Sequence, residues 1–184
     1  MTLRIIGGTF KGRSLKTPKG ETTRPTTAMA REALFNRCQH LIEGAVVLDL
    51  FAGSGAIGFE ALSRGAAHVT FVEKDRAAST CIRQNQALLE LEGKCTLLQM
   101  DAHAALSRLK HPFDLIYVDP PYDLKVASLL EEIGKNHLLK SDGILFFEER
   151  YRNKTPPQLL HLKYVDSRKY GEASIHQYQR VLHD

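Results

Sequence analysis

From residue 44 onward the chain repeats one pattern, a short and continuously apolar run followed by a stretch with helical spacing. The runs are AVVLDLF (45–51), HVTFVE (68–73), CTLLQM (95–100), FDLIYV (113–118) and GILFFEE (143–149). Helical stretches are predicted near 56–64, 75–91, 102–110 and 125–138. A strand apolar on both faces must be covered on both, and helices alternating with such strands do this for a parallel sheet. The predicted fold is therefore α/β with a mostly parallel sheet. Gly65, Gly93 and Gly143 fall where helices end or strands begin. The tail, LLHLKYVDSRKYGEASIHQYQRVL, breaks the alternation with two β-rich runs around KYGEA (169–173), predicting a C-terminal antiparallel strand pair at the sheet edge.

Residues 1–43 read differently. LRIIGG and GRSLKTP suggest a hairpin, with Gly7 and Gly8 permitting its tight turn. TRPTTAMAREALFNRCQHLI then becomes a helix with Ala30, Leu34, Cys38 and Leu41 on one face. Charge is concentrated in this segment. Residues 1–40 hold eight Lys/Arg against two acids, whereas the rest of the chain holds 17 against 19. A basic segment on a near-neutral body points to a polyanion such as nucleic acid, or to a plain solvated face. The expected organisation is a basic N-terminal extension over 1–43, contacting RNA, and a second unit over 44–184. The start, MTLRIIGGTFKGR, lacks a signal-peptide apolar core, and no run is long enough to span a bilayer. Three cysteines without metal-type spacing read as free thiols of a reducing cytoplasm. No metal is expected, because no histidine pair has ligand spacing.

LDLFAGSGAIG places Gly53, Gly55 and Gly58 directly after the first long strand, and Glu73 ends the next strand 20 residues after Gly53. Glycines for close backbone approach and an acid for ribose hydroxyls fit a dinucleotide fingerprint. Asp49 lies inside the strand, where a pyrophosphate ligand has no use for a carboxylate. It would anchor the loop through backbone N–H groups or meet the cationic ammonium of S-adenosylmethionine through water. Phe51 and Ala52 add an apolar shoulder. Asp101 is placed to accept from an adenine amino group, with Ala102 supplying an N–H, or simply to cap a helix. The expected cofactor-binding set is Asp49, Phe51, Ala52, Gly53, Ser54, Gly55, Gly58, Glu73, Lys74, Asp101 and Ala102.

FDLIYV ends in DPPY (119–122). Ligands of open α/β sheets bind at the carboxyl ends of strands where the strand order reverses. If FDLIYV neighbours VVLDLF across that point, Asp119 faces the ligand of the glycine loop. Pro120 and Pro121 cannot extend a ladder and hold fixed φ values. The Asp119 carboxylate and Pro120 carbonyl become two fixed acceptors, and Tyr122 a stacking face. Two acceptors and a flat surface suit an exocyclic amine on a planar base, oriented for attack on a methyl sulfonium. Asp119, Pro120, Pro121 and Tyr122 are the expected catalytic residues.

FAGSG followed by DPPY resembles class I S-adenosylmethionine-dependent amino-methyltransferases, a Rossmann-like fold. RIIGG…KGR…RPTT…REALFN with LDLFAGSGAIGFEALSRGA is similar to the RsmD family of bacterial 16S ribosomal RNA guanine-N2 methyltransferases. The resemblance spans almost the whole chain and is strongest over residues 4–67 and 117–122. It implies methyl transfer from S-adenosylmethionine to the 2-amino group of one guanine in small-subunit RNA, within an assembled or partly assembled particle. A cytoplasmic location and a monomer are expected as well. After RPTT such proteins commonly carry an acid and a base, where this chain has Ala28 and Met29, whereas Arg24, Thr26, Arg31 and Glu32 keep the pattern. Lys11, Arg13, Arg24, Thr26 and Arg31 are the expected RNA contacts, although a surface salt bridge accounts equally well for each arginine taken singly. Transfer to adenine in DNA or to a protein glutamine, nicotinamide chemistry, and a non-catalytic RNA-binding assembly factor are the competing readings.

Overall fold

The structure is a computed structural model, and it describes residues 3–18, 27–121, 124, 126–150 and 158–181. Among these, α1 (Ala28–Ile42) leads into β1 (Val46–Leu50), α2 (Ala56–Ser63), β2 (His68–Val72), α3 (Arg76–Leu88) and β3 (Cys95–Leu98). There follow α4 (Ala102–Arg108), β4 (Phe113–Val118), α5 (Val126–Lys135), β5 (Leu139–Arg150), β6 (Leu162–Tyr170) and β7 (Ala173–Arg180). The strands form one sheet in the order β3-β2-β1-β4-β5-β7-β6. Strands β1 to β5 run parallel, and β7 pairs antiparallel with both β5 and β6. The α/β sheet with its C-terminal antiparallel pair is thus the one expected from the sequence.

The order reverses between β1 and β4, so the ends of these two neighbours frame a crevice. Apolar side chains divide by strand alternation. Val47, Tyr117 and Phe146 face one way and pack with Leu34 and Phe35 of α1 and Phe59 of α2. Leu48, Ile116, Val118 and Leu145 face the other way and pack with Leu106 of α4 and Leu130 of α5. Burial on both faces is what the uninterrupted apolar runs require.

Three element ends depart by three residues or more from the predicted positions. The α3 pattern was expected to continue to residue 91, but Glu90 takes φ 55°. The Leu91 and Glu90 N–H groups then donate to Gln86 and Ala87, closing the helix in a Schellman motif. His137 (φ 52°) ends α5 in the same way, three residues before the expected boundary. Strand β5 begins at Leu139 rather than 143, because it pairs with Phe113 across a register shift that places Gly143 against the Asp114 carbonyl.

The N-terminal segment forms the expected hairpin turn, with an antiparallel bridge between Arg4 and Ser14. Ile5 and Leu15 are buried in the same cluster as α1, α2 and β1. Glu60 of α2, 0% exposed, receives the Ile6 and Gly7 N–H groups at 2.8 Å each and the Arg64 guanidinium at 2.8 Å. Gly8 (φ 73°) lies so close to α2 that a Cβ there would sit 1.8 Å from the Ser63 carbonyl oxygen. No helix among the described residues is long and apolar enough to cross a membrane.

Candidate active site

The site begins where β1 stops. Phe51 turns the chain at φ 65°, Gly53 follows at φ 54°, and Gly55 (φ 81°) caps α2. A Cβ at Gly53 would meet no atom within 4 Å, so this edge of the loop is open to a ligand. Gly58 has a different role. A Cβ there would lie 2.2 Å from Phe71 and 2.7 Å from Val69, so its missing side chain lets α2 rest directly on β2. Gly58→Ala is expected to force α2 off the sheet at about 1–3 kcal/mol. A thermal melt should show Tm lower by several degrees, and an unchanged Tm would mean that α2 shifts freely.

Asp49 is 1% exposed and accepts the Gly58 N–H at 3.0 Å, which makes it an anchor of the loop from beneath. Burial pushes its carboxyl up to about 7; the Gly58 hydrogen bond opposes the rise and the Glu73 charge adds to it. Glu73 spans the loop and the next strand: Oε2 accepts from Gly53 N–H at 2.8 Å and Oε1 from Asp75 N–H at 2.7 Å. A carboxylate oxygen has a second lone pair, so both contacts leave acceptor capacity for a ribose hydroxyl. Phe51 and Ser54 are half-buried, Ala52 is buried, and Lys74 is exposed beside Glu73. Asp101 caps α4 through the His103 N–H at 2.9 Å, with Ala102 buried behind it. Of the two roles weighed for Asp101, the cap is therefore realised.

Across the crevice, the Asp119 N–H points at the Leu50 carbonyl at 3.5 Å, tying the end of β4 to the end of β1. Burial, then the charges of Glu148 and Asp49, push the Asp119 carboxyl up to about 8. Pro120 is buried and Pro121 exposed. The Tyr117 hydroxyl donates to Glu148, whose carboxylate sits at the end of β5. Tyr122 lies outside the described residues, as do Arg24 and Thr26.

Among the expected RNA contacts, Lys11 is exposed, and Arg13 is exposed with its guanidinium on the Leu88 carbonyl at 2.9 Å. Arg31 departs from expectation. It is 2% exposed beneath the hairpin, donating to the Arg4 carbonyl at 2.8 Å, so it presents no free surface to RNA. Two buried polar residues escaped the sequence reading. Glu60 holds the hairpin, and Asn85 bonds the Lys16 N–H and C=O and donates to the Ser54 carbonyl at 3.2 Å. The one signal for Asn85 is its place on the apolar face of α3 with Ala78, Cys81 and Ile82.

Similarity to known proteins agrees with this geometry. The profile of the family described as "Conserved hypothetical protein 95" matches residues 3–179. Over 182 residues the chain is 36% identical to "Ribosomal RNA small subunit methyltransferase D" of Escherichia coli strain K12, covering 97% of this chain and 90% of that one. The chain belongs to the RsmD family. It is also 36% identical to "Putative rRNA methyltransferase YlbH" of Bacillus subtilis strain 168, covering 97% and 99%. Among solved structures, the putative methyltransferase yhhF from Escherichia coli superposes with a TM-score of 0.87 at 35% identity, over 98% of both chains. The methyltransferase fold extends to SMU.776, a putative methyltransferase complexed with SAH (TM-score 0.62, 16% identity, 79% of this chain and 49% of that one). S-adenosylmethionine, the cofactor expected from the glycine loop, is consistent with both kinds of similarity.

Proposed function

We propose that this RsmD-family protein transfers a methyl group from S-adenosylmethionine to the exocyclic N2 amine of a guanine in small-subunit ribosomal RNA. The observation that carries this reading is the Asp119 carboxyl at the end of β4, bonded through its own backbone to the end of β1, where the glycine loop begins.

The residues fit the cofactor. Gly53 leaves open space at the loop, and Glu73 keeps acceptor capacity for ribose. Burial and the Glu73 charge oppose ionisation of Asp49, and burial with the Glu148 and Asp49 charges opposes that of Asp119. Such a site favours a ligand bearing ammonium and sulfonium cations and resists a pyrophosphate, which argues against nicotinamide chemistry. Bound there, the cofactor supplies an electrophilic methyl group.

The chain's own residues supply the rest. In its ionised form, which the cations of a bound cofactor would favour, the Asp119 carboxylate accepts one N–H of the amine and the Pro120 carbonyl the other, fixing its direction. This favours localisation of the nitrogen lone pair, otherwise delocalised into the ring. Asp119 then accepts the proton that the amine sheds and passes it to water. Pro120 and Pro121 hold these acceptors rigid, and Tyr122 offers the flipped base a stacking face. Lys11 and Arg13 of the hairpin, with Arg24 and Thr26, contact the RNA backbone.

The acceptor is tested by incubating labelled cofactor with unmodified small-subunit particles, naked RNA, DNA and protein extract. Label in the particles supports the reading. Label in DNA or protein keeps the chemistry and overturns the substrate. No label, with cofactor bound by a folded protein, would favour a non-catalytic assembly factor.

A further inference from the structure

Arg31 is an anomaly in this fold. Its side chain is 2% exposed, yet Nε and Nη1 have no hydrogen-bond partner, and Nη2 alone is satisfied, by the Arg4 carbonyl. Buried N–H groups on a charged side chain are costly to leave unpaired, and each one in a native structure calls for an explanation, a functional role among them. Burial lowers the guanidinium's affinity for its proton, and the neighbouring Glu60 offsets part of that loss.

Its position indicates what is missing. Helix α1 ends at Ile42 and β1 starts at Val46, so α1 runs back along the sheet. Its first turns, with Arg31, therefore lie toward the strand ends that carry the glycine loop and Asp119. Arg31 is within electrostatic reach of Tyr117, the register partner of Asp49, which holds the loop at Gly58. The strand ends that frame the crevice carry Asp49, Glu73, Asp101, Asp119 and Glu148, with Lys74 exposed beside Glu73. S-adenosylmethionine brings two cations for those acids and one carboxylate, for which they offer only repulsion.

We propose that Arg31 binds the methionyl carboxylate of the cofactor through Nε and Nη1, and so positions the methyl donor from the hairpin side of the crevice. The inference rests on the cofactor reading above. A guanidinium presents parallel N–H donors that match a carboxylate. Arg31 is 2% exposed beneath the hairpin, so it offers no surface to an RNA phosphate.

The test is calorimetric binding of S-adenosylhomocysteine and of its decarboxylated analogue to the wild-type protein, Arg31→Met and Arg31→Gln. Thermal melts check that each variant is folded. The wild type is expected to favour the carboxylate-bearing ligand by about 10- to 100-fold, the worth of a charge-assisted hydrogen-bond pair. Both variants should bind the two ligands alike. If Arg31 were only a structural support, its loss would weaken both ligands in proportion and preserve their ratio, which overturns the inference. Equal affinities in the wild type overturn it without any variant, should either variant not fold. Failure of the wild type to bind either ligand is a separate result, and overturns the cofactor reading itself.

Discussion

Asp119→Ala is expected to reduce methyl transfer by at least about 100-fold, the scale of losing a positioned proton acceptor and its orienting hydrogen bond. Affinity for S-adenosylhomocysteine, a thioether without the sulfonium charge, should be unchanged, because Asp119 faces the acceptor. Joint loss of turnover and cofactor binding would instead make Asp119 a structural residue. Asp119→Asn should lose turnover equally and in addition melt higher at alkaline pH. The folded protein holds the Asp119 carboxyl at about 8, well above its ordinary 3.8. Folding therefore favours the neutral acid, and stability falls as pH rises from the ordinary carboxylate range through about 8. Asparagine removes that penalty. The side chain is largely buried but shares its titration with Glu148 and Asp49, so the expected gain is only about 2 kcal/mol, or roughly 4–8 °C in Tm, at pH 8.5. At pH 4 the difference should vanish. A Tm gain equal at both pH values would show that the carboxyl's ionisation is not its source.

Glu60→Ala carries the largest expected cost in stability. It removes the acceptor of two hairpin N–H groups and leaves the Arg64 guanidinium without its carboxylate in a site where Glu60 itself is fully buried. Breaking one side of such a buried pair costs about 3–5 kcal/mol, or roughly 6–20 °C for a chain of this size. Amide hydrogen exchange should speed up over residues 4–15 before it does in β1 and β4, because the hairpin loses its tie to α2. A Tm within 2 °C of wild type, with hairpin exchange unaltered, would mean that the buried apolar contacts of Ile5 and Leu15 hold the hairpin unaided.

These residues also mark where sequence reading works and where it stops. The strands β1, β2 and β4 are legible because burial on both faces demands an unbroken apolar run, and Val47, Leu48, Ile116 and Val118 supply it. The adjacency of β1 and β4 follows from the reversal rule, and with it the placement of Asp119 beside the end of β1. Helix ends were less legible, since Glu90 and His137 adopt positive φ without being glycine. Glu60, Asn85 and Arg31 were least legible. Each is polar on a helix, where solvent exposure is the ordinary expectation, and the partners of Glu60 and Asn85 in the hairpin lie 53 to 69 positions away in sequence. Burial of a charge is a tertiary fact. Sequence alone puts Arg31 on a basic surface, and the structure places it inside.

The most direct test of the central claim is the chemical identity of the nucleoside that acquires the methyl group. Unmodified small-subunit particles would be treated with the protein and labelled S-adenosylmethionine, digested to nucleosides and resolved by chromatography with mass detection. Label is expected in N2-methylguanosine with wild-type protein and not with Asp119→Ala. Label in N6-methyladenosine, or in N2-methylguanosine regardless of Asp119, would contradict it.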